Sequence, residues 1–113
     1  MNIMLHKSYI IAGPTASGKS NFAHELAKKT DGVIINCDSV QMCRGIEYIS
    51  ASPFAGLDPD TGMIDGVPYK LFSTLPLTEQ ISVADYLELA MREYNDAIEN
   101  GKSPIFVGGS GYY

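Results

Sequence analysis

The stretch Gly13-Pro14-Thr15-Ala16-Ser17-Gly18-Lys19-Ser20 satisfies the pattern G-x-x-x-x-G-K-[ST], and it narrows the fold more than any other feature of the chain. Its glycines let the backbone curl so that successive N–H groups point inward at phosphate oxygens. The curl works between a strand and a helix, because the helix adds the positive end of its dipole. The flanks supply both. Ser8 to Ala12 carries Tyr-Ile-Ile and reads as a short buried strand. Phe22, Ala23, Leu26 and Ala27 then fall on one helical face, and Gly32 sits where a helix would stop. Val33 to Cys37 is a second β-rich run. Strand, glycine loop, helix and strand form a βαβ unit, whose strands run parallel.

Beyond it, the stretch from Gly45 to Pro76 reads as a long functional excursion, with four Pro or Gly positions from Pro53 to Gly62 and a weakly alternating run at Val67 to Phe72 that suggests a hairpin. Ser82 is a helix N-cap with Asp85 in the capping-box position. Val83, Tyr86, Leu87, Ala90, Met91, Tyr94, Ala97 and Ile98 trace one apolar stripe that ends at Asn100-Gly101 and reads as core. Pro104 to Val107 is a third strand, with its proline at the permitted first position, and Gly108 to Gly111 is a glycine-rich turn of the kind that leads into another helix. Three strands make a thin parallel sheet, so the pattern predicts an α/β, three-layer, phosphate-loop core that is incomplete in these 113 residues, a single truncated domain.

The remaining constraints are exclusions. Folding at this length buries roughly 65% of the surface the unfolded chain exposes. No apolar run approaches a membrane span, and the N-terminus lacks the pattern of a signal peptide, so a cytoplasmic location is the default. Cys37 and Cys43 stand on a strand and the loop after it, and two reduced cysteines suit that compartment. His6, His24 and the cysteines lack second ligands at zinc spacing. Thirteen carboxylates against eight Lys and Arg count against this segment alone gripping a nucleic-acid backbone.

Within the loop, Lys19 is placed to reach the terminal phosphate of a di- or triphosphate, and the Ser20 hydroxyl to ligate Mg2+. Asp38-Ser39 follows the second strand, at the carboxyl edge where open α/β proteins assemble their sites. Position alone leaves Asp38 evenly between a base or magnesium partner and a loop-capping carboxylate. Gln41, Arg44 and Ser110 read as surface loop residues on the same ground.

Taken together, Gly13 to Ser20, Asp38-Ser39-Val40-Gln41, Arg44-Gly45, Ser82-Val83-Ala84-Asp85-Tyr86 and Val107-Gly108-Gly109-Ser110-Gly111 resemble the N-terminal part of the tRNA dimethylallyltransferases, in order and spacing, across nearly the whole chain. The resemblance implies transfer of a dimethylallyl group from dimethylallyl pyrophosphate to N6 of the adenosine 3′ of the anticodon. It implies that residues 13 to 20, Thr15 and Lys19 among them, hold the departing pyrophosphate with Mg2+ at Ser20. Asp38 and Thr15 would be catalytic, Asp38 taking the proton of the attacking amine. Asp38, Ser39, Val40, Gln41 and Ser110 would receive the tRNA anticodon stem-loop. Members of the family are longer, with a helical insertion and a C-terminal part that carry most of the basic surface. The resemblance therefore implies a fragment with weak or no turnover by itself, and a monomer in full-length form. Departures stand at Met42-Cys43, at Ser52 in place of a lysine, at Pro68-Tyr69-Lys70 in place of a two-histidine motif, and at Tyr112-Tyr113. Two other readings stay open: an adenine-nucleotide prenyltransferase or small-molecule kinase with the same loop, and a binding-only remnant.

Overall fold

A computed structural model describes residues 8–12, 19–38, 42, 53, 54, 56–74 and 82–108. The opening βαβ unit forms as its sequence dictates. Strand β1 spans Tyr9–Ala12, helix α1 Lys19–Thr30 and strand β2 Gly32–Asn36. The helix stops one residue before the expected glycine. Asp31 takes the left-handed conformation (φ 54) and Gly32 is already in the sheet. Gly32 is small for a packing reason: a Cβ there would lie 2.7 Å from Ile105 Cδ1 and 3.1 Å from Ala27 Cα. Asp31 also accepts the Lys102 ammonium at 2.8 Å, which ties the turn to the start of the last strand.

The stretch expected to be mostly excursion contributes to the sheet. A 3-10 turn at Pro59–Thr61 precedes strand β3 at Met63–Ile64, and strand β4 follows at Val67–Lys70. The two pair antiparallel through Asp65-Gly66, both at positive φ (51 and 78), as a type I′ hairpin turn requires. Asp-Gly between apolar flanks is a direct sequence signal for such a hairpin.

Helix α2, Val83–Glu99, begins at the expected cap, with Ser82 Oγ accepting the Asp85 N–H at 3.1 Å. Strand β5, Ser103–Gly108, starts one residue early, so Pro104 is its second residue. Among the described residues the sheet order is β1-β5-β2-β4-β3, the suggested hairpin adding β3 and β4 to the three strands of the parallel pattern. All pairings are parallel except that of β3, an edge strand.

Two cores lie on the two faces. Ala23 and Ala27 of α1 pack on Ile34, Ile105, Val107, Tyr69 and Phe54. Tyr86, Ala90 and Ala97 of α2 pack on Val33, Ile35, Leu71 and Met42. The arrangement is three-layered, as the βαβ pattern implies. Two helical faces come out narrower than their periodicity predicts. Phe22 of α1 is 63% exposed, and on α2 the line Val83, Leu87 and Met91, with Ile98, is left toward solvent. Tyr94 keeps a contact, stacking on Phe106 at a centroid distance of 6.4 Å. Helix α2 covers β2 and β5 but not β1, whose Ile10 is 81% exposed.

Candidate active site at the carboxyl edge

Register determines where a site can form. Ala12 pairs with Gly108, Val107 with Asn36, and Ile35 with Lys70, so the four parallel strands end along one edge of the sheet. The segments leaving that edge carry the residues that the sequence singles out. Helix α1 follows β1, starts at Lys19 and runs back along the sheet, so its first turn, with Lys19 and Ser20, lies at this edge with the positive end of its dipole. The loop residues Gly13, Pro14, Thr15, Ala16, Ser17 and Gly18 lie outside the described residues, as do Ser39, Val40, Gln41, Arg44 and Ser110.

Asp38 is described. It follows β2 directly and is half-buried. Cys37 extends the ladder, its N–H donating to the Val107 carbonyl at 2.8 Å. The Asp38 N–H donates to Asn36 Oδ1 at 2.8 Å, and Asn36 Nδ2 donates to the Asp38 carbonyl at 2.7 Å and to the Leu71 carbonyl at 2.9 Å. From the opposite layer, the Tyr86 hydroxyl donates to the Asn36 carbonyl at 2.8 Å and lies 3.1 Å from Cys37 Sγ. Burial raises the Cys37 thiol pKa, against the lowering effect of the Tyr86 hydroxyl. Cys37 is therefore a packed thiol.

After β4, Leu71 (φ 65) and Ser73 (φ 53) both adopt left-handed backbone while buried. Non-glycine residues held this way cost of the order of 1–3 kcal/mol each and cluster at functional sites. The Thr74 N–H donates to the Met42 carbonyl at 2.8 Å, which closes this segment against the one following Asp38.

A second polar cluster lies between α1 and the hairpin. His24 Nδ1 is 2.6 Å from the Tyr69 hydroxyl, and its Nε2, buried without a hydrogen bond, is 3.5 Å from Asp65 Oδ2. Burial, and then the Asp65 carboxylate, push the Tyr69 phenol up to about 12, so it stays protonated and neutral. Tyr69 lies within Pro68-Tyr69-Lys70, where the resemblance expects a two-histidine motif. His24 and its partner stand 45 residues apart in the chain, so the sequence position of His24 does not reveal the contact. Among the described residues no group of His, Cys, Asp and Glu could hold a metal ion, and no helix is long and apolar enough to cross a membrane.

A mostly parallel sheet in a three-layer core, with a phosphate-loop sequence ahead of α1 and a carboxylate after β2, defines a phosphate-loop α/β protein whose candidate site is at the carboxyl edge. A family model described as IPP transferase matches residues 41–113, and a second, isopentenyl transferase, matches residues 6–57. The chain belongs to the IPP transferase family.

Among curated relatives, the tRNA dimethylallyltransferase of Rickettsia bellii (strain OSU 85-389) is 47% identical over 104 residues, which are 92% of this chain and 31% of that protein. The Rickettsia prowazekii (strain Madrid E) enzyme of the same name is 44% identical over 97% of this chain and 34% of its own length. The chain thus spans about a third of the curated relatives it matches. The full-length tRNA isopentenylpyrophosphate transferase of Bacillus halodurans superposes with a TM-score of 0.80 at 36% identity, over 95% of this chain and 33% of that one. A eukaryotic dimethylallyltransferase acting on tRNA superposes equally well, at 29% identity, over 92% of this chain and 24% of that one.

Proposed function

We propose that these residues form the pyrophosphate-holding and amine-activating part of a tRNA dimethylallyltransferase. The enzyme would transfer a dimethylallyl group from dimethylallyl pyrophosphate to N6 of the adenosine 3′ of the anticodon. The observation that carries the reading is the shared carboxyl edge, where the first turn of α1, after β1, and the Asp38 segment, after β2, lie at the ends of the two parallel strands that flank β5. The names of the relatives and of the superposable structures support it.

In this reading the bond between the allylic carbon and the pyrophosphate oxygen breaks as the bond from N6 to that carbon forms. The leaving group gathers negative charge, which the loop amides of residues 13–18, Thr15, Lys19 and the α1 dipole stabilise as it develops. Asp38 accepts the proton that the amine loses. The oxygen donor set of Ser20 suits Mg2+, which when bound would neutralise pyrophosphate charge. Ser39, Val40, Gln41 and Ser110 would contact the anticodon stem-loop. The target base has to leave its stack to reach the edge, at a cost of about a few kcal/mol that is smaller in a loop. The reading places the protein in the cytoplasm, with its tRNA.

Binding of dimethylallyl pyrophosphate, ATP and AMP, each titrated with Mg2+, tests the ligand class. The pyrophosphate should bind most tightly, and a clear preference for ATP would favour a kinase and overturn the prenyl reading. In the polypeptide as its own cell makes it, Asp38→Ala should lower transfer to an anticodon stem-loop by about 10²- to 10⁴-fold and leave pyrophosphate affinity within about twofold. Unchanged turnover would remove Asp38 as the base.

A further inference from the structure

Asn36 is the one polar side chain on a strand otherwise made of Gly32, Val33, Ile34 and Ile35, and it is 0% exposed. A buried strand ordinarily ends on another apolar residue, since an amide carried out of water has to recover every hydrogen bond it gives up. Asn36 recovers them from main chain. Its Oδ1 takes the Asp38 N–H and its Nδ2 donates both protons, one to the Asp38 carbonyl and one to the Leu71 carbonyl. These partners settle the orientation of the amide, because the flipped group would face the Asp38 N–H with its own N–H protons.

The carboxamide therefore grips Asp38 on both sides of its α-carbon and ties it to the end of β4. There the Leu71 backbone is held left-handed, with its carbonyl accepting from Asn36. The Asn36 main chain is itself held from the other layer by the Tyr86 hydroxyl. Three elements thus meet at Asn36, which in turn holds the backbone of the carboxylate-bearing Asp38 through two bonds that do not use the carboxylate. Loop residues that carry chemistry need this kind of support, because a displacement of about 1 Å at a reacting group costs on the order of 100-fold in rate.

We propose that Asn36 is the positioning residue for Asp38, holding its backbone so that the carboxylate meets the incoming amine. The inference rests on Asp38 being the base of the proposed transfer. Asn36 acts through Asp38 and touches no substrate.

The test uses the polypeptide as its own cell makes it, with transfer to an anticodon stem-loop, affinity for dimethylallyl pyrophosphate, and hydrogen exchange at the Asp38 amide as readouts. Asn36→Ala should lower kcat by about 10- to 100-fold, leave the KM for the pyrophosphate within about twofold, and speed exchange at the Asp38 amide. Combined with Asp38→Ala, it should lower kcat no further, because a positioning residue has nothing left to position. An additional loss in the double variant as large as in the single one would mean general structural support and would overturn the proposal. So would an unchanged kcat alongside faster exchange. Asn36→Asp keeps the shape and the acceptor for the Asp38 N–H but loses both donors, and it carries the same test should Asn36→Ala not fold. Absence of transfer in the parent protein would overturn the function on which the inference rests, whereas transfer in the parent with kcat retained in the Asn36 variants would overturn the positioning role alone.

Discussion

At the scale of single residues, the most informative position is Tyr69, which lies within Pro68-Tyr69-Lys70, where the resemblance expects a two-histidine motif. Its hydroxyl meets His24 on α1 and its ring packs edge-on to Phe54 at a centroid distance of 5.8 Å, so one side chain serves both a polar pair and the core. Burial and the Asp65 carboxylate both oppose the phenolate and push its pKa up to about 12. The unfolded chain, with an ordinary phenol near 10, releases this proton first as pH rises. The folded state then holds more protons than the unfolded one, and stability falls across the interval from about pH 10 to about pH 12. Tyr69→Phe should remove that slope while costing about 0.5–1.5 kcal/mol at neutral pH for the lost hydrogen bond. Denaturant melts of both proteins at pH 7, 10 and 11 check it, and parallel losses above pH 10 would refute it.

At the scale of elements, capping and turn chemistry explain where the segments stop and start. Ser82 caps α2 as its sequence position predicts, and Ser82→Ala should lower stability by about 1 kcal/mol, read as a downward shift of the thermal midpoint. An unshifted midpoint would mean that packing alone sets the start of α2. The Asp65-Gly66 turn is the counterexample. Its dipeptide is legible as a hairpin signal, yet the surrounding Pro and Gly positions make the whole stretch read as loop. What the dipeptide does not contain is the partner of β4. Ile34 and Ile35 of β2 lie more than thirty positions earlier in the chain, and only their pairing turns a weakly alternating run into a sheet strand.

For the whole molecule, coverage of the sheet is uneven. Helix α2 lies over β2 and β5 and leaves Ile10 of β1 open, while its own Val83, Leu87 and Met91 form a line one helical turn apart that is at least half exposed and lies outside both core clusters of the described residues. Replacing Leu87 and Met91 together with Lys should leave stability within about 0.5 kcal/mol and raise solubility, because both are more than half exposed and lie outside the core clusters of the described residues. Tyr86→Ala, on the buried side of the same helix, should cost about 3–5 kcal/mol. Thermal unfolding of the three proteins distinguishes the faces, and a large loss from the double lysine variant would show that the line is covered in solution.

The local chemistry of the chain carries the βαβ opening, the α2 cap, the phosphate-loop motif and the place of Asp38 after β2, because each depends on residues within one or two turns of one another. The tertiary structure alone decides that β4 completes the sheet, that His24 meets Tyr69, that Phe22 and Met91 face outward, and that Asn36 grips Asp38 and Leu71. Each of these is a contact or a loss of contact between segments distant in sequence. Periodicity marks which face of a helix is apolar, but the width of the neighbouring sheet sets how much of that face is buried. For the carboxyl edge the division is the same: the motif names Lys19 and Ser20, the family resemblance adds Asp38, and the parallel register brings their segments to one side of the molecule.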